Sequence, residues 1–296
     1  IMLSLFIPLS IASYFSIAYK LKTKEIIKAR KETKQLENEF TSTLFQLGNR
    51  LGDGIPAEIV FQKVAESSQG QKTQSFFSLV NQNIQRMGMS VEEAVFNNQR
   101  GAIIYYPSAL ISISMKILIE SVKKGLKIAA RAMMSISDYV KNIQKINDRL
   151  RDLLAEVISD MRSNMVFLAP LLAGIIVSLS SMIAIILNKL KSLSDLTSGG
   201  AEIAGIGSIG NIVNLFDITS IIPPYFVQVS IGLYLIEIVF ILTGTLVTID
   251  SGKDELQEKY ELSKNLKRGL TLYIVATVIG TIMLAGLASI ALSGLG

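Results

Sequence analysis

Four long apolar stretches, residues 2–19, 165–187, 225–249 and 270–292, alternate with polar segments of very unequal length. Each is close to the ~20 residues a helix needs to cross a bilayer core of ~30 Å. The polar segment after the first, residues 20–164, is long enough for a folded domain. Charge avoids all four stretches except at Glu237. The pattern predicts an all-α polytopic membrane protein with four transmembrane helices. A bundle of about six helices is expected between spans one and two.

Inside that segment, apolar residues recur at helical steps and not at the alternation of strands. Leu36, Phe40, Leu44, Leu47 and Leu51 mark a first helix, broken at Gly52-Asp53-Gly54. Pro56 suits the first turn of a short second helix with Ile59, Val60, Phe61 and Val64 on its apolar side. Phe76, Phe77, Val80 and Ile84 mark a third helix, stopped by Gly88. Ser90-Val91-Glu92-Glu93 has the form of a capping box and predicts a short fourth helix ending near Asn97. Pro107 opens a fifth, which faces Ile111, Met115, Leu118 and Ile119 inward and stops at Gly125.

A long helix is predicted from about Leu126 to Met161. Its stripe keeps 4-3 spacing through Ala129, Met133, Ile136, Val140, Ile143, Asn147, Leu150, Leu154, Val157 and Met161. Asn147 is the single polar position, and a lone seam Asn can fix the register of a dimeric coiled coil. Ala132, Tyr139, Ile146 and Leu153 widen the face, which favours packing in a bundle over a free coiled coil. Only Arg162-Ser163-Asn164 separates this helix from the second span.

Charge then orients the chain. Residues 20–164, 188–224 and 250–269 hold 22, 2 and 5 of the 29 lysines and arginines. The positive-inside bias, counted near span ends, places residues 20–164 and 250–269 in the cytoplasm and the 188–224 loop and both termini outside. The assignment is 1–19 first span, 20–164 cytoplasmic bundle, 165–187 second span, 188–224 external loop, 225–249 third span, 250–269 second cytoplasmic loop, and 270–296 fourth span with an external end. The chain starts at Ile1. Residues 2–19 lack a basic region before them and a small-x-small cleavage site, so they read as a retained span and not a signal peptide.

Composition adds exclusions. Half of the residues are hydrophobic, and mean hydropathy is +0.45. There is no His, Cys or Trp. That removes the common zinc sites, thiol nucleophiles, disulfides and a Ser-His-Asp triad. No cofactor or metal is expected, and no catalytic residue. The Gly-rich run through Gly199, Gly200, Gly205, Gly207 and Gly210 is no phosphate loop: no strand precedes it and no Gly-Lys-Ser/Thr closes it.

Two groups of residues resemble a known family. Phe45-Gln46-Leu47-Gly48-Asn49-Arg50-Leu51 through Gly54-Ile55-Pro56, then Met87-Gly88-Met89-Ser90-Val91-Glu92-Glu93-Ala94-Val95, repeat a helix, a Gly turn and a short helix. Tyr225-Phe226-Val227-Gln228 through Ile249-Asp250-Ser251-Gly252-Lys253-Asp254 to Tyr260 carries a second likeness. Over about residues 40–292 the chain resembles the type II secretion system F-domain proteins, and archaeal members especially. These are the membrane platform subunits of type IV pili, archaella and type II secretion. With one full domain, it resembles the single-domain type or the second half of a two-domain protein. The resemblance implies a non-enzymatic role in the cell membrane, with a cytoplasmic assembly ATPase, pilin-like subunits and the lipid bilayer as partners, a homodimeric state, and no nucleic acid.

The candidate residues follow. The basic turn Lys123, Lys124 and Lys127 with Arg131, and the acidic Asp254, Glu255 and Glu258, are candidate ATPase contacts; a solvated turn and an exposed mixed-charge helix are the plainer readings. Glu237 is the intramembrane candidate: either a protonated carboxyl bonded to Ser or Thr of a neighbouring helix, or, as the resemblance implies, a partner for the N-terminus of an incoming pilin. Asn147 is the oligomer and register candidate. The rival function is a membrane-anchored signalling or scaffold protein, and a transporter fits less well because one carboxyl is little from which to build a pathway.

Overall fold

The structure is a computed structural model, and it describes residues 3–197 and 223–293. The Gly-rich run from Gly199 to Gly210, most of the expected external loop and the extreme chain ends lie outside the described residues. All regular structure among the described residues is helical, and four helices are long and apolar enough to span a membrane. A short 3-10 turn, Leu3–Leu5, precedes α1 (Phe6–Gly52). Then come α2 (Ala57–Ser67), α3 (Lys72–Met87), α4 (Val91–Phe96), α5 (Ala102–Tyr105), α6 (Ala109–Lys123) and α7 (Leu126–Ser163). A π-helical turn, Asn164–Leu168, joins α7 to α8 (Ala169–Thr197), and α9 (Pro224–Ser251) and α10 (Glu255–Ser293) follow. The chain divides into two compact units, one of residues 1–24 with 154–296 and one of residues 25–153. Both boundaries fall inside helices, in α1 and in α7.

The 25–153 unit is built on the stripes read from the sequence. Phe40, Leu44, Leu47 and Leu51 of α1 are fully buried against Val60, Phe61 and Val64 of α2 and Phe76, Phe77 and Val80 of α3. Phe40 stacks on Phe77 with ring centroids 5.9 Å apart, and Phe76 meets Phe77 edge-on at 5.2 Å. Such pairs add about 0.5–1.5 kcal/mol each beyond their burial. Ile59, expected on the apolar side, is exposed. Pro56 occupies the N-cap position of α2, one residue before the first turn.

Helix ends explain the turns. Gly88 closes α3 in the left-handed conformation at φ 65°, which a Cβ would strain. The Ser90–Glu93 capping box is formed in both directions, with the Glu93 amide donating to the Ser90 hydroxyl and the Ser90 amide to the Glu93 carboxylate. α3 has no cap of its own; Glu39 of α1 accepts the Lys72 amide at 2.6 Å instead. Buried Asn83 donates to the carbonyls of Ala94 (3.1 Å) and Arg100 (2.9 Å), which ties α3 to α4 and to the segment after it. That segment holds the short helix α5, which periodicity did not predict. Four residues are too few to show a repeat.

In the other unit, α8, α9 and α10 pack with the first part of α1 around Ala12, Met165, Ala173, Val177, Leu235, Val239, Leu266 and Tyr273. Small residues set the closest approaches. An added Cβ on Gly232 of α9 would come within 2.7 Å of the Pro8 ring of α1. The π turn has a local cause. Pro170 lacks an amide and its ring crowds the carbonyl four residues back, so the ladder widens by one residue there. The expected second loop, 250–269, is mostly helix: α9 runs to Ser251 and α10 starts at Glu255, leaving a turn at Gly252, Lys253 and Asp254.

Candidate functional site

α9 buries one face through Gln228, Gly232, Leu235, Val239, Thr243 and Leu246, spaced at three and four. Glu237 lies on the opposite side, with Leu233, Tyr234 and Ile241, each more than 40% exposed. It sits at the middle of a 28-residue helix otherwise free of charge until Asp250. Among the described residues Glu237 makes no hydrogen bond to a Ser or Thr of a neighbouring helix, the first of its two expected roles, because it is exposed on the face of α9 opposite the buried one. A carboxyl at mid-span is costly to leave in hydrocarbon, and ionisable groups there normally face protein or water. Tyr234 and Glu237, at i and i+3, give this outer surface its polar character.

The interior of the same unit holds polar groups that sequence reading missed. The Asn265 amide donates to the Thr243 hydroxyl at 3.2 Å, and that hydroxyl reaches the Met165 sulfur at 3.2 Å. All three are buried, so α10, α9 and the π turn are bound at one point. Gln228, fully buried, accepts from Ser4 at 2.7 Å, and its carbonyl accepts from the Tyr273 hydroxyl at 3.1 Å. The Gln228 side-chain nitrogen has no partner among the described residues. For Gln228 and Thr243 the only signal in the sequence is a polar residue inside an apolar run, and Asn265, set among charged residues, carries none.

The basic turn lies in the 25–153 unit, between α6 and α7. Gly125 makes the turn at φ 124°. Lys124 and Lys127 line one open cleft of about 460 Å³ together with Leu51, Gly52 and Gly54 of the α1–α2 turn. Two turns far apart in sequence thus form one end of the bundle. Lys124, Lys127 and Arg131 are exposed, and among the described residues none has a carboxylate partner. Lys123 differs: it bonds Glu120 at 2.9 Å and lies 3.6 Å from Glu92. The hydrogen bond to Glu120, then the charges of Glu120 and Glu92, raise the Lys123 ammonium above its ordinary value, and Lys123 lowers the Glu120 carboxyl in turn.

The acidic candidates separate into different roles. Asp254 caps α10, accepting the Gln257 amide on its carboxylate at 3.2 Å. Glu255 pairs with Lys259 one turn on, at 3.3 Å, and is exposed. Glu258 is half-buried beside Gly244 of α9. Among the described residues no three carboxylates gather in a way that could hold a metal ion.

Asn147 is exposed on α7, and the seam around it divides in two. Ala129 and Met133 are buried in the bundle core, with Ile136 packed against it. From Ile143 onward most of the face is uncovered: Ile143, Ile146, Leu150, Leu153 and Val157 are 41–65% exposed, while Leu154 and Met161 are half-buried. Bundle packing therefore describes only the first third of this helix. No protein-family model, no curated protein and no solved structure matches the chain.

Proposed function

We propose that the chain is a platform subunit of a type IV pilus-like, archaellum or type II secretion assembly machine. It works in the cytoplasmic membrane, couples a cytoplasmic assembly ATPase to the insertion of pilin-like subunits, and catalyses no reaction itself. The observation that carries the reading is the outward-facing mid-span carboxyl of Glu237, on a helix otherwise apolar across the membrane. Such a group is stable in hydrocarbon when another membrane protein supplies a cation or donor, and the free N-terminus of a pilin-like helix is one.

Two further features support coupling. α1 and α7 each run unbroken across a unit boundary, so force on the bundle has a helical path to the spans. The exposed cations Lys124, Lys127 and Arg131, which form no salt bridge among the described residues, offer an acidic partner a surface. The positive-inside bias puts the bundle in the cytoplasm with the ATPase, and both termini outside. The uncovered half of the α7 seam, with Asn147 in it, suits a homodimer.

Deletion of the gene in its own cell tests the reading. Surface filaments or secretion should disappear, return with the wild-type gene, and fail to return with Glu237→Gln. Normal assembly in the deletion strain overturns the platform reading, and normal assembly with Glu237→Gln alone removes the carboxyl from it.

A further inference from the structure

Within the membrane unit, α1 and α10 wall an open groove of about 590 Å³. Lys20 enters from α1. Lys264, Lys267, Arg268, Leu272 and Val275 enter from α10, at steps of one to four that put cations at one end of a single face and apolar side chains at the other. The buried Ser16 hydroxyl donates to the Ser263 carbonyl at 2.7 Å, so the two walls are fastened to each other. No carboxylate lines the groove, and among the described residues none of its four cations has an ion-pair partner.

Four like charges around one space repel each other unless an anion joins them. Basic clusters immediately beside a span attract anionic headgroups, at close to a factor of five in binding per cation. The apolar end identifies the anion's source. From Lys264 to Val275 the helix rises about 16 Å, roughly from headgroup depth to the upper acyl chain. A free phosphate would use only the basic end. We propose that this groove binds one anionic phospholipid, its phosphate held among Lys20, Lys264, Lys267 and Arg268 and an acyl chain laid on Leu272 and Val275. The site would stand whether or not the chain serves a filament.

Native mass spectrometry of the purified full chain in detergent, titrated with phosphatidylglycerol or phosphatidylcholine, tests this. The wild type should retain one phosphatidylglycerol in preference to phosphatidylcholine. K264Q/K267Q/R268Q should weaken that binding by at least about tenfold, while the charge-keeping K264R/K267R/R268K retains it. K28Q/K31Q/K34Q removes the same charge from exposed sites on α1 beyond the groove and should bind as the wild type does. Equal retention of both lipids, equal loss in K28Q/K31Q/K34Q, or loss in the charge-keeping variant overturns the proposal. So does displacement of the lipid by millimolar inorganic phosphate, which would mark the site as one for the free anion.

Discussion

A Cβ placed on Gly174 of α8 would lie 2.6 Å from the Cβ of Ala276 on α10. One turn on, the contact repeats with the roles exchanged: a Cβ on Gly280 of α10 would lie 2.9 Å from the Cβ of Ser178 on α8. The two helices therefore touch through a small residue every fourth position, a common means of close packing where lipid supplies no hydrophobic drive. Gly174→Leu should force them apart and cost about 1–3 kcal/mol, read as a lower Tm of the full chain in detergent. Gly286→Ala, with nothing within 4 Å of the added atom, should not lower Tm and should raise it slightly, because Ala favours the helix interior over Gly.

Asn83 bonds α3 to α4 and to the segment after it. Asn83→Ala would leave the buried Ala94 carbonyl and the partly buried Arg100 carbonyl without their donor. The expected loss is about 1–3 kcal/mol, measured by pulse proteolysis of the full chain at increasing urea. Stability unchanged within 0.5 kcal/mol, an ordinary surface value, would mean that these carbonyls find other donors.

The Glu120–Lys123 pair sets a weak pH dependence with two opposite edges. Lys123 holds the Glu120 carboxyl below 4.5, so the stability it adds is present above about pH 4.5 and is lost as pH falls through the lowered value. Glu120 holds the Lys123 ammonium above 10.5, so that contribution is complete below about pH 10.5 and is lost as pH rises through the raised value. Glu120→Gln should be slightly less stable than the wild type at pH 7, and the difference should shrink as pH falls below about 4.5. Both groups are exposed, so 1 M salt should erase the difference at pH 7.

The uncovered seam of α7 predicts self-association. Leu150→Asp should shift the purified chain from dimer toward monomer in light scattering coupled to size exclusion. Asn147→Leu should keep or strengthen association while loosening its register. A wild-type chain monomeric at micromolar concentration would contradict both.

The periodic parts of this fold were legible in the sequence. Leu36 through Leu51, Phe76 through Ile84, the Ser90–Glu93 box and the Gly88 stop all stand where spacing and capping chemistry put them. The outward direction of Glu237 was not legible, because α9 is apolar on every side and its pattern marks no face. Gly174, Ser178, Ala276 and Gly280 were hidden for the same reason, as small residues scattered in apolar runs. The mixed charges of Glu255 and Lys259 marked a helix within 250–269, but not that its Leu262, Ser263, Asn265 and Leu266 would be buried. Lys20 and Lys264 share a groove only after the chain has folded back on itself.

Affinity purification of the full chain from its native membrane, with identification of what accompanies it, tests the platform reading most directly. An assembly ATPase with a phosphate-binding Gly-Lys-Ser/Thr motif should co-purify, and K124E/K127E/R131E should lose it while the chain still reaches the membrane. An intact wild-type chain that brings no such ATPase, under conditions that preserve other membrane complexes, would contradict it.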